Sequence, residues 1–261
     1  MDPAVDVAQA ARTVGSYSSA ESARRYDREA KVMSPRYARA HRVQNTMIAK
    51  RLSRDCSGTP TLLDLGCGTA SDGADLLKHS KHARYLGIDR ASPMANLAAE
   101  KLSQLGYCGR FEMMHADLFE LARTPSAFVL ECRAHNVVAV LISLVLHHYD
   151  RAQKQQLYSM IRAILEPGML LVVTDLFTSS LSDCASDALD LELRGVKSAL
   201  RRLRSRGETC GDETTVSEYH YRRQNHPATL ADEMECLKSS GFSTSDVVYR
   251  HGQLAVIAVE G

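Results

Sequence analysis

The chain of 261 residues has 44% apolar and 24% charged residues, which is typical of a globular protein with a sizeable hydrophobic core. Its formal net charge of +1 argues against a general attraction to nucleic acid or to an anionic membrane. The longest apolar run, VVAVLISLVL at 137–146, is too short to cross a bilayer, and residues 1–15 lack the pattern of a signal peptide. We therefore expect a cytoplasmic protein without a membrane segment.

The seven cysteines are spread along the chain, and no two of them form a CxxC pair. This spacing predicts reduced thiols rather than a disulfide framework. It also gives no support for a structural zinc site, and we expect no bound metal.

Two amphipathic helices are predicted before the first strand. From 36 to 52, apolar residues recur every three or four positions, with Pro35 suited to the first turn and Ser34 to the N-cap. The segment SAESARRYDREAKVM at 19–33 predicts a shorter helix that ends before this proline.

From residue 61 onward, short apolar segments alternate with amphipathic ones. The predicted strands are 61–65, 83–89, 110–117, 137–142 and 169–176, and the predicted helices are 71–80, 92–106 and 151–165. Ser92 is the predicted N-cap of the helix at 92–106, with Pro93 at its first position and Gly106 at its end. Alternation of this kind predicts right-handed crossovers and a doubly wound, mostly parallel sheet.

The end of the chain departs from the alternation. A helix at 229–241 precedes two strands, 242–250 and 253–260, which are too close in sequence to be parallel and so predict an antiparallel hairpin. The fold class is therefore α/β, a seven-stranded, doubly wound sheet with a C-terminal antiparallel hairpin strand. N-terminal helices and an insertion at 176–228 complete it, and the insertion contains a predicted helix at 189–206 and a loop or lid at 209–226.

The stretch LLDLGCGTASDG at 62–73 joins the first strand to its helix and predicts a ligand site, because such sheets bind ligands at the carboxyl ends of their strands. A pyrophosphate loop would need glycine at position 71, where Ser71 stands. Asp64 and Asp72 would repel phosphate but suit a cation, and Asp89 after the second strand can bind a ribose diol. S-adenosylmethionine combines a ribose diol with a positive centre.

These segments resemble the motifs of class I S-adenosylmethionine-dependent methyltransferases. TLLDLGCGTASDG resembles motif I, YLGID motif II, HAD at 115–117 motif III, LISLVLHHYD motif IV, and LEPGMLLVVTD the segment that leads into the fifth strand. The resemblance spans about residues 36–175 and 242–260, and it departs from the family at Ala70, which replaces the third glycine of motif I.

The resemblance implies the cofactor S-adenosyl-L-methionine, the product S-adenosyl-L-homocysteine and a division of the chain. Residues 1–58 would form a helical cap over the cofactor site, 59–175 the cofactor-binding core, 176–228 a substrate-binding insertion or lid, and 229–261 the helix and hairpin that complete the sheet. The same resemblance implies a set of cofactor-binding residues, which are Asp64, Gly66, Gly68, Asp89, Arg90, Asp117, Leu118, Ser143, Tyr26 and Tyr37.

Each of these residues has an expected role. The two loop glycines would pass under the amino-acid part of the cofactor, with Asp64 near its amino group. Asp89 would accept the ribose hydroxyls, and Asp117 the adenine amine, although an acid at a strand end also suits a cap. Ser143 would flank the methyl group together with Leu144, and the tyrosines would lie over the sulfonium, where a cation gains roughly 1 kcal/mol from an aromatic face.

Candidate catalytic residues follow the fourth and fifth strands. A hydroxyl acceptor must lose a proton, and an imidazole with a pKa near 6.5 could remove it, which makes His148 and His147 candidate general bases. Asp175 could hold an amine or hydroxyl of the acceptor. Tyr149 and, in the insertion, His220, Tyr221 and Arg223 are candidate substrate-binding residues. The alternatives are packing or lining roles for the histidines and a solvated loop around 220–226.

The sequence therefore predicts methyl transfer to an oxygen or nitrogen of a small-molecule acceptor by a monomer or homodimer. One alternative is an RNA methyltransferase, which the net charge and the lack of an Asn-Pro-Pro-Tyr-type tetrapeptide argue against. The basic residues between 194 and 206 follow several acids and predict a solvated helix face rather than a phosphate track. A second alternative is a protein that binds the cofactor without catalysis.

Overall fold

Seven strands form one sheet in the order β3-β2-β1-β4-β5-β7-β6 in the computed structural model, which describes residues 17, 19–33, 37–54, 58–207 and 228–261. The strands are β1 Thr61–Leu65, β2 Arg84–Asp89, β3 Phe111–His115, β4 Val137–Ser143, β5 Leu170–Leu176, β6 Thr244–His251 and β7 Leu254–Glu260. The first five strands pair in parallel, and β7 pairs antiparallel with both β5 and β6. The predicted fold class is confirmed.

Helices cover both faces of the sheet. They are α1 Ala20–Met33, α2 Tyr37–Leu52, α3 Ser71–His79, α4 Ser92–Gln104, α5 Leu118–Arg123, α6 Pro125–Ala134, α7 Arg151–Ile164, α8 Ser182–Ser205 and α9 Leu230–Ser239. Buried residues of α2, α3 and α4 form the core on one face, and buried residues of α5, α6, α7 and α9 form it on the other. Because both faces are covered, β4 is apolar from Val137 to Ile142.

Three details differ from the sequence prediction. Ser92 is the first helical residue of α4 rather than its cap, because Asp89 Oδ1 already accepts the N–H of the capping residue Ala91 at 2.8 Å. The Ser92 hydroxyl instead contacts His115 Nε2 at 3.0 Å. Two short helices, α5 and α6, which the sequence analysis did not predict, lie on either side of Thr124, and α8 starts seven residues earlier than the predicted helix.

Two further expectations fall partly outside the described structure. Ser34 and Pro35, the predicted start of the second helix, lie outside the described residues, and α2 is described from Tyr37.

Within the described ranges, each helix is either too short or too polar to cross a membrane.

A buried polar group joins α7 to α9 beneath the sheet. Lys154 Nζ donates to Glu233 Oε2 at 2.7 Å, and the Tyr158 hydroxyl donates to Glu233 Oε1 at 2.5 Å. All three residues are at most 4% exposed. A carboxylate at this depth is tolerated because both of its oxygens receive a hydrogen bond and the lysine neutralises its charge.

We expect Glu233→Ala to lower the free energy of unfolding by about 3–5 kcal/mol, because it leaves the Lys154 ammonium buried without its counter-ion. Urea unfolding followed by circular dichroism measures the change. Glu235→Ala is the matched control on the same helix, since Glu235 pairs with Arg151 at 3.3 Å on the surface and should cost less than about 1 kcal/mol. Equal losses in the two variants would contradict the interpretation.

Candidate active site

The sheet changes its winding direction between β1 and β4, which are neighbours but send their following chain to opposite faces. Ligands of doubly wound sheets bind in the crevice outside the carboxyl ends at such a point. The glycine loop, residues 66–70, starts there. The N–H groups of Gly66 and Cys67 both donate to the carbonyl of Ile88, at 2.8 and 2.9 Å, so the loop folds over the end of β2.

The glycine loop depends on left-handed backbone conformations. Gly66 has a φ of 77°, and a β-carbon added there would lie 2.5 Å from Val145 Cγ2. Ala70, at the position of the third glycine of motif I, also has a positive φ of 52°. An alanine pays about 1 kcal/mol for this conformation. The replacement noted in the sequence therefore keeps the backbone geometry of a glycine while filling a buried position.

Asp89 connects the glycine loop to the end of β2. Its Oδ2 accepts the N–H of Gly68 at 2.8 Å, and its Oδ1 accepts the N–H of Ala91 at 2.8 Å. Burial raises the pKa of this carboxyl, and the two backbone donors oppose the rise. A carboxylate has about four lone-pair positions, so each Asp89 oxygen retains accepting capacity for a ribose hydroxyl.

Asp64 lies beneath the glycine loop at the end of β1. It is 2% exposed and accepts a hydrogen bond from the Tyr85 hydroxyl at 2.8 Å. Burial, followed by the negative charge of Asp72, raises its pKa well above the ordinary value. Three acids, Asp64, Asp72 and Asp89, thus surround one loop, and this arrangement favours a cationic ligand.

Asp117 begins α5 as its N-cap. Its Oδ1 accepts the N–H groups of Phe119, at 2.8 Å, and Glu120, at 3.4 Å. Its Oδ2 lies 3.5 Å from Arg90 Nη1. The structure thus shows the capping role that the sequence left open, and the second carboxylate oxygen is the one that could also meet an adenine amine.

Tyr149 lies near Asp117 and Arg90. Burial raises the pKa of its hydroxyl to about 12, with a further contribution from the charge of Asp117 and an opposing one from Arg90. Leu118 is buried in the core of the same face, against which Tyr149 packs. The role of Tyr149 in binding the acceptor stays a prediction.

The N-terminal helix α2 is attached to the site through Tyr37. The Tyr37 hydroxyl donates to Asp72 Oδ2 at 2.9 Å and lies 2.7 Å from Ser143 Oγ. Since its one proton goes to the carboxylate, the phenolic oxygen accepts from Ser143. Burial, and then the charge of Asp72, raises the pKa of Tyr37 well above its ordinary value. The structure therefore brings together Tyr37 and Ser143, two residues predicted separately.

Other side chains of α1 and α2 complete this attachment. Gln44 Nε2 donates to Asp72 Oδ1 at 2.8 Å, and His41 Nε2 contacts the same oxygen. In α1, the ring of Tyr26 lies beside the glycine loop, with its Cε1 3.9 Å from where a β-carbon of Gly68 would be. The sequence analysis missed Gln44 and His41. A detectable signal for Gln44 was its polar side chain at a core position, between Ala40 and Ile48.

Asp175 organises the turn after β4. Its Oδ2 accepts the N–H groups of Val145, Leu146 and His147 at 2.6 to 3.3 Å, and His147 Nδ1 lies 2.5 Å from its Oδ1. Burial opposes ionisation, but the neighbouring imidazole and these hydrogen bonds lower the pKa of Asp175 below its ordinary value. The expectation that Asp175 holds an acceptor does not fit, because the carboxylate is 1% exposed and both oxygens are engaged.

The same turn presents His148 at the surface. His147 is buried, whereas His148 is exposed and its ring lies 4.0 Å from that of His147. Leu144 starts the turn with a φ of 55° and donates its N–H to the Thr174 carbonyl at 2.8 Å. Of the two histidines, His148 is therefore the one that can meet an external molecule.

The insertion leaves the core after β5 and rejoins it before α9. Thr178, just after β5, donates its N–H to the Ala228 carbonyl at 2.9 Å and forms a parallel bridge with Thr229. Within the insertion, Val196 and Leu200 of α8 are buried, and α8 contacts α1. The predicted substrate residues His220, Tyr221 and Arg223 lie outside the described residues.

A family model described as a methyltransferase domain matches residues 62–168, from β1 to the turn before β5. A curated relative, the 3-hydroxy-5-methyl-1-naphthoate 3-O-methyltransferase of Streptomyces sahachiroi, is 28% identical over 134 residues, which are 51% of this chain and 36% of that protein. The chain thus spans about a third of the length of this relative.

Solved structures share the fold at low sequence identity. An O-methyltransferase family 2 protein from Planctomyces limnophilus in complex with apigenin has a TM-score of 0.53 at 19% identity, and the match covers 84% of this chain and 60% of that one. A phosphoethanolamine N-methyltransferase from Haemonchus contortus in complex with S-adenosyl-L-methionine has a TM-score of 0.50 at 18% identity, and the match covers 78% and 37%.

The family match covers the glycine loop, Asp89, Asp117 and the turn that carries His148. The chain is therefore similar to methyltransferases over residues 62–168 and in its fold, in agreement with the family resemblance of its motifs.

Proposed function

We propose that this protein transfers the methyl group of S-adenosylmethionine to an oxygen of a small-molecule acceptor. The observation that carries the proposal is the bond between Asp89 and the Gly68 N–H, which fixes a ribose-binding acid against a loop surrounded by carboxylates. The comparisons support an oxygen acceptor, since the curated relative is named as an O-methyltransferase and one structural neighbour holds apigenin. Transfer to nitrogen is the second possibility.

In this proposal, the chain's residues bind the cofactor at three points. Asp89 accepts the ribose hydroxyls, Asp64 attracts the amino group, and Asp117 accepts the adenine amine beside Leu118 and Arg90. Gly66 and Gly68 let the backbone approach the amino-acid part. Tyr26 of α1, Tyr37 of α2 and Ser143 line the side of the cofactor site that these two helices cover. When bound, the cofactor supplies a methyl group on a positively charged sulfur.

His148 is the proposed general base. Transfer of the methyl group to a hydroxyl would require that hydroxyl to lose its proton. The exposed imidazole of His148 accepts that proton. His147 and Asp175 act as positioning residues, because they are buried and hold the backbone of the turn that carries His148. Holding the acceptor in line supplies much of the remaining rate acceleration.

The surrounding segments complete the proposal. Residues 1–58 cap the cofactor, and the insertion at 176–228 forms the acceptor chamber together with the N-terminal helices, with His220, Tyr221 and Arg223 as its predicted binding residues. The joined ends of the insertion beside β5 support this placement. A cytoplasmic location and a monomeric or homodimeric state stay predictions from the sequence.

We expect Asp89→Ala to weaken the binding of S-adenosylhomocysteine by about tenfold to a hundredfold, because the ribose loses charge-assisted hydrogen bonds worth about 1.5–3 kcal/mol each. Titration calorimetry gives the Kd. Asp246→Ala, at an exposed position of the edge strand β6, is the control and should bind like the wild type. An unchanged Kd in Asp89→Ala would place the ribose elsewhere, and absence of binding by the wild type would refute the proposed function.

We expect cofactor binding to release protons and to tighten as the pH rises. Burial raises the pKa of Asp64 in the unliganded protein, whereas the ammonium group of the ligand favours the ionised carboxylate and lowers that pKa. Affinity is then lost as the pH falls through the raised pKa. Calorimetry of S-adenosylhomocysteine in two buffers of different ionisation enthalpy counts the protons. Asp64→Asn should reduce the count, and an unchanged count would assign the protons to another group.

We expect His148→Ala to lower kcat by about 10²-fold to 10⁴-fold, which is the usual contribution of a general base, with little change in the KM for the cofactor. Formation of S-adenosylhomocysteine with a hydroxynaphthoate or apigenin as the acceptor probe measures the rate. The wild-type rate should rise with pH as the imidazole loses its proton, and this rise should vanish in the variant. A wild-type rate in His148→Ala would show that His148 is not the general base. Cofactor binding without turnover of any hydroxylated acceptor would favour the non-catalytic alternative.

A further inference from the structure

A lysine of α4 links the N-terminal helix α1 to the glycine loop. Lys101 Nζ lies 2.5 Å from Asp27 Oδ1, 3.3 Å from Thr69 Oγ1 and 3.3 Å from Ser71 Oγ. The Thr69 hydroxyl also donates to Asp27 Oδ1. We call Asp27, Lys101 and Thr69 the clasp, since together they join three separate parts of the chain.

The clasp lies directly beside the proposed cofactor site. Thr69 is buried and comes between Gly68, which is bonded to Asp89, and Ala70, which is the N-cap residue of α3. On the other side, Asp27 follows Tyr26, whose ring lies against Gly68. A movement of α1 away from Lys101 would therefore also move this ring away from the loop.

Residues 20–28, the part of α1 whose side chains the structure describes, bury little apolar surface with which to hold this position. Of these side chains, Ala23 is the buried one. An alanine buries too little area to fix a helix firmly. The clasp is better suited to the task, because Lys101 and Asp27 are 23% and 30% exposed in their side chains, so their attraction is only partly weakened by water.

We propose that the clasp holds α1 closed over the bound cofactor and that Lys101 is a positioning residue that sets how fast cofactor and product leave. The inference rests on the proposed function, since it places the cofactor under α1. Opening of α1 breaks the bonds from Lys101 and Thr69 to Asp27 and uncovers the glycine loop. Closing reforms them without any change in the sheet.

The test is the dissociation rate of S-adenosylhomocysteine from the full chain, measured by stopped-flow displacement with excess S-adenosylmethionine. Lys101→Met keeps the length of the side chain and removes its charge, and Lys78→Met changes an exposed lysine of α3 as the control. Loss of one ion pair that water partly screens corresponds to about a fivefold faster dissociation. Asp27→Asn should give a similar increase, and the double variant should add little, because both changes break the same link.

Two further measurements separate this role from a general loss of stability. Amide hydrogen exchange should become faster in residues 20–33 of Lys101→Met and stay unchanged in β1 and β4. Lys101→Arg should restore most of the wild-type dissociation rate, since it keeps the charge.

Wild-type dissociation rates in both Lys101→Met and Asp27→Asn would overturn the proposal that the clasp holds α1 closed. Faster exchange throughout the sheet would instead assign Lys101 a role in overall stability and would also overturn the proposal. A wild-type protein that does not bind S-adenosylhomocysteine would contradict the proposed function itself, so the two failures are distinguishable.

Discussion

The architecture of the site depends on one hydrogen bond, from the N–H of Gly68 to the carboxylate of Asp89. It ties the loop after β1 to the end of β2, the two strands whose carboxyl ends form one side of the crevice. A backbone donor can reach this acid only because the loop takes left-handed conformations at Gly66, Gly68 and Ala70. Asp89 would thus both bind the ribose and hold the loop in shape, so a substitution of this residue affects both roles.

Two buried carboxylates elsewhere at this edge act in a similar way. Asp72 joins α2 to the start of α3 through Tyr37, Gln44 and His41, and Asp175 holds three successive backbone N–H groups of the turn after β4. Each replaces water around its oxygens with several donors, which compensates for its burial. Ser143 and the exposed His148 therefore lie next to backbone or side chains that these acids fix.

The sequence was sufficient to predict the sheet and the cofactor, but not the roles of single acids. Alternating apolar segments and the short spacing between β6 and β7 predict the observed mostly parallel, seven-stranded sheet and its antiparallel end. Asp175 and Asp117 show the limit, because a carboxylate at the end of a strand looks the same in sequence whether it faces a ligand or its own backbone. The clasp between Asp27 and Lys101 joins residues 74 positions apart, a pairing for which no local pattern exists.

The parallel bridge between Thr178 and Thr229 allows the insertion to vary independently of the core. Its two ends stay a hydrogen bond apart whatever lies between them, and the entropy of closing such a loop rises only slowly with its length. Segments of different length or composition can therefore occupy this position without altering β5 or α9. Replacement of this one insertion can therefore change which acceptor is bound, while the cofactor site stays the same.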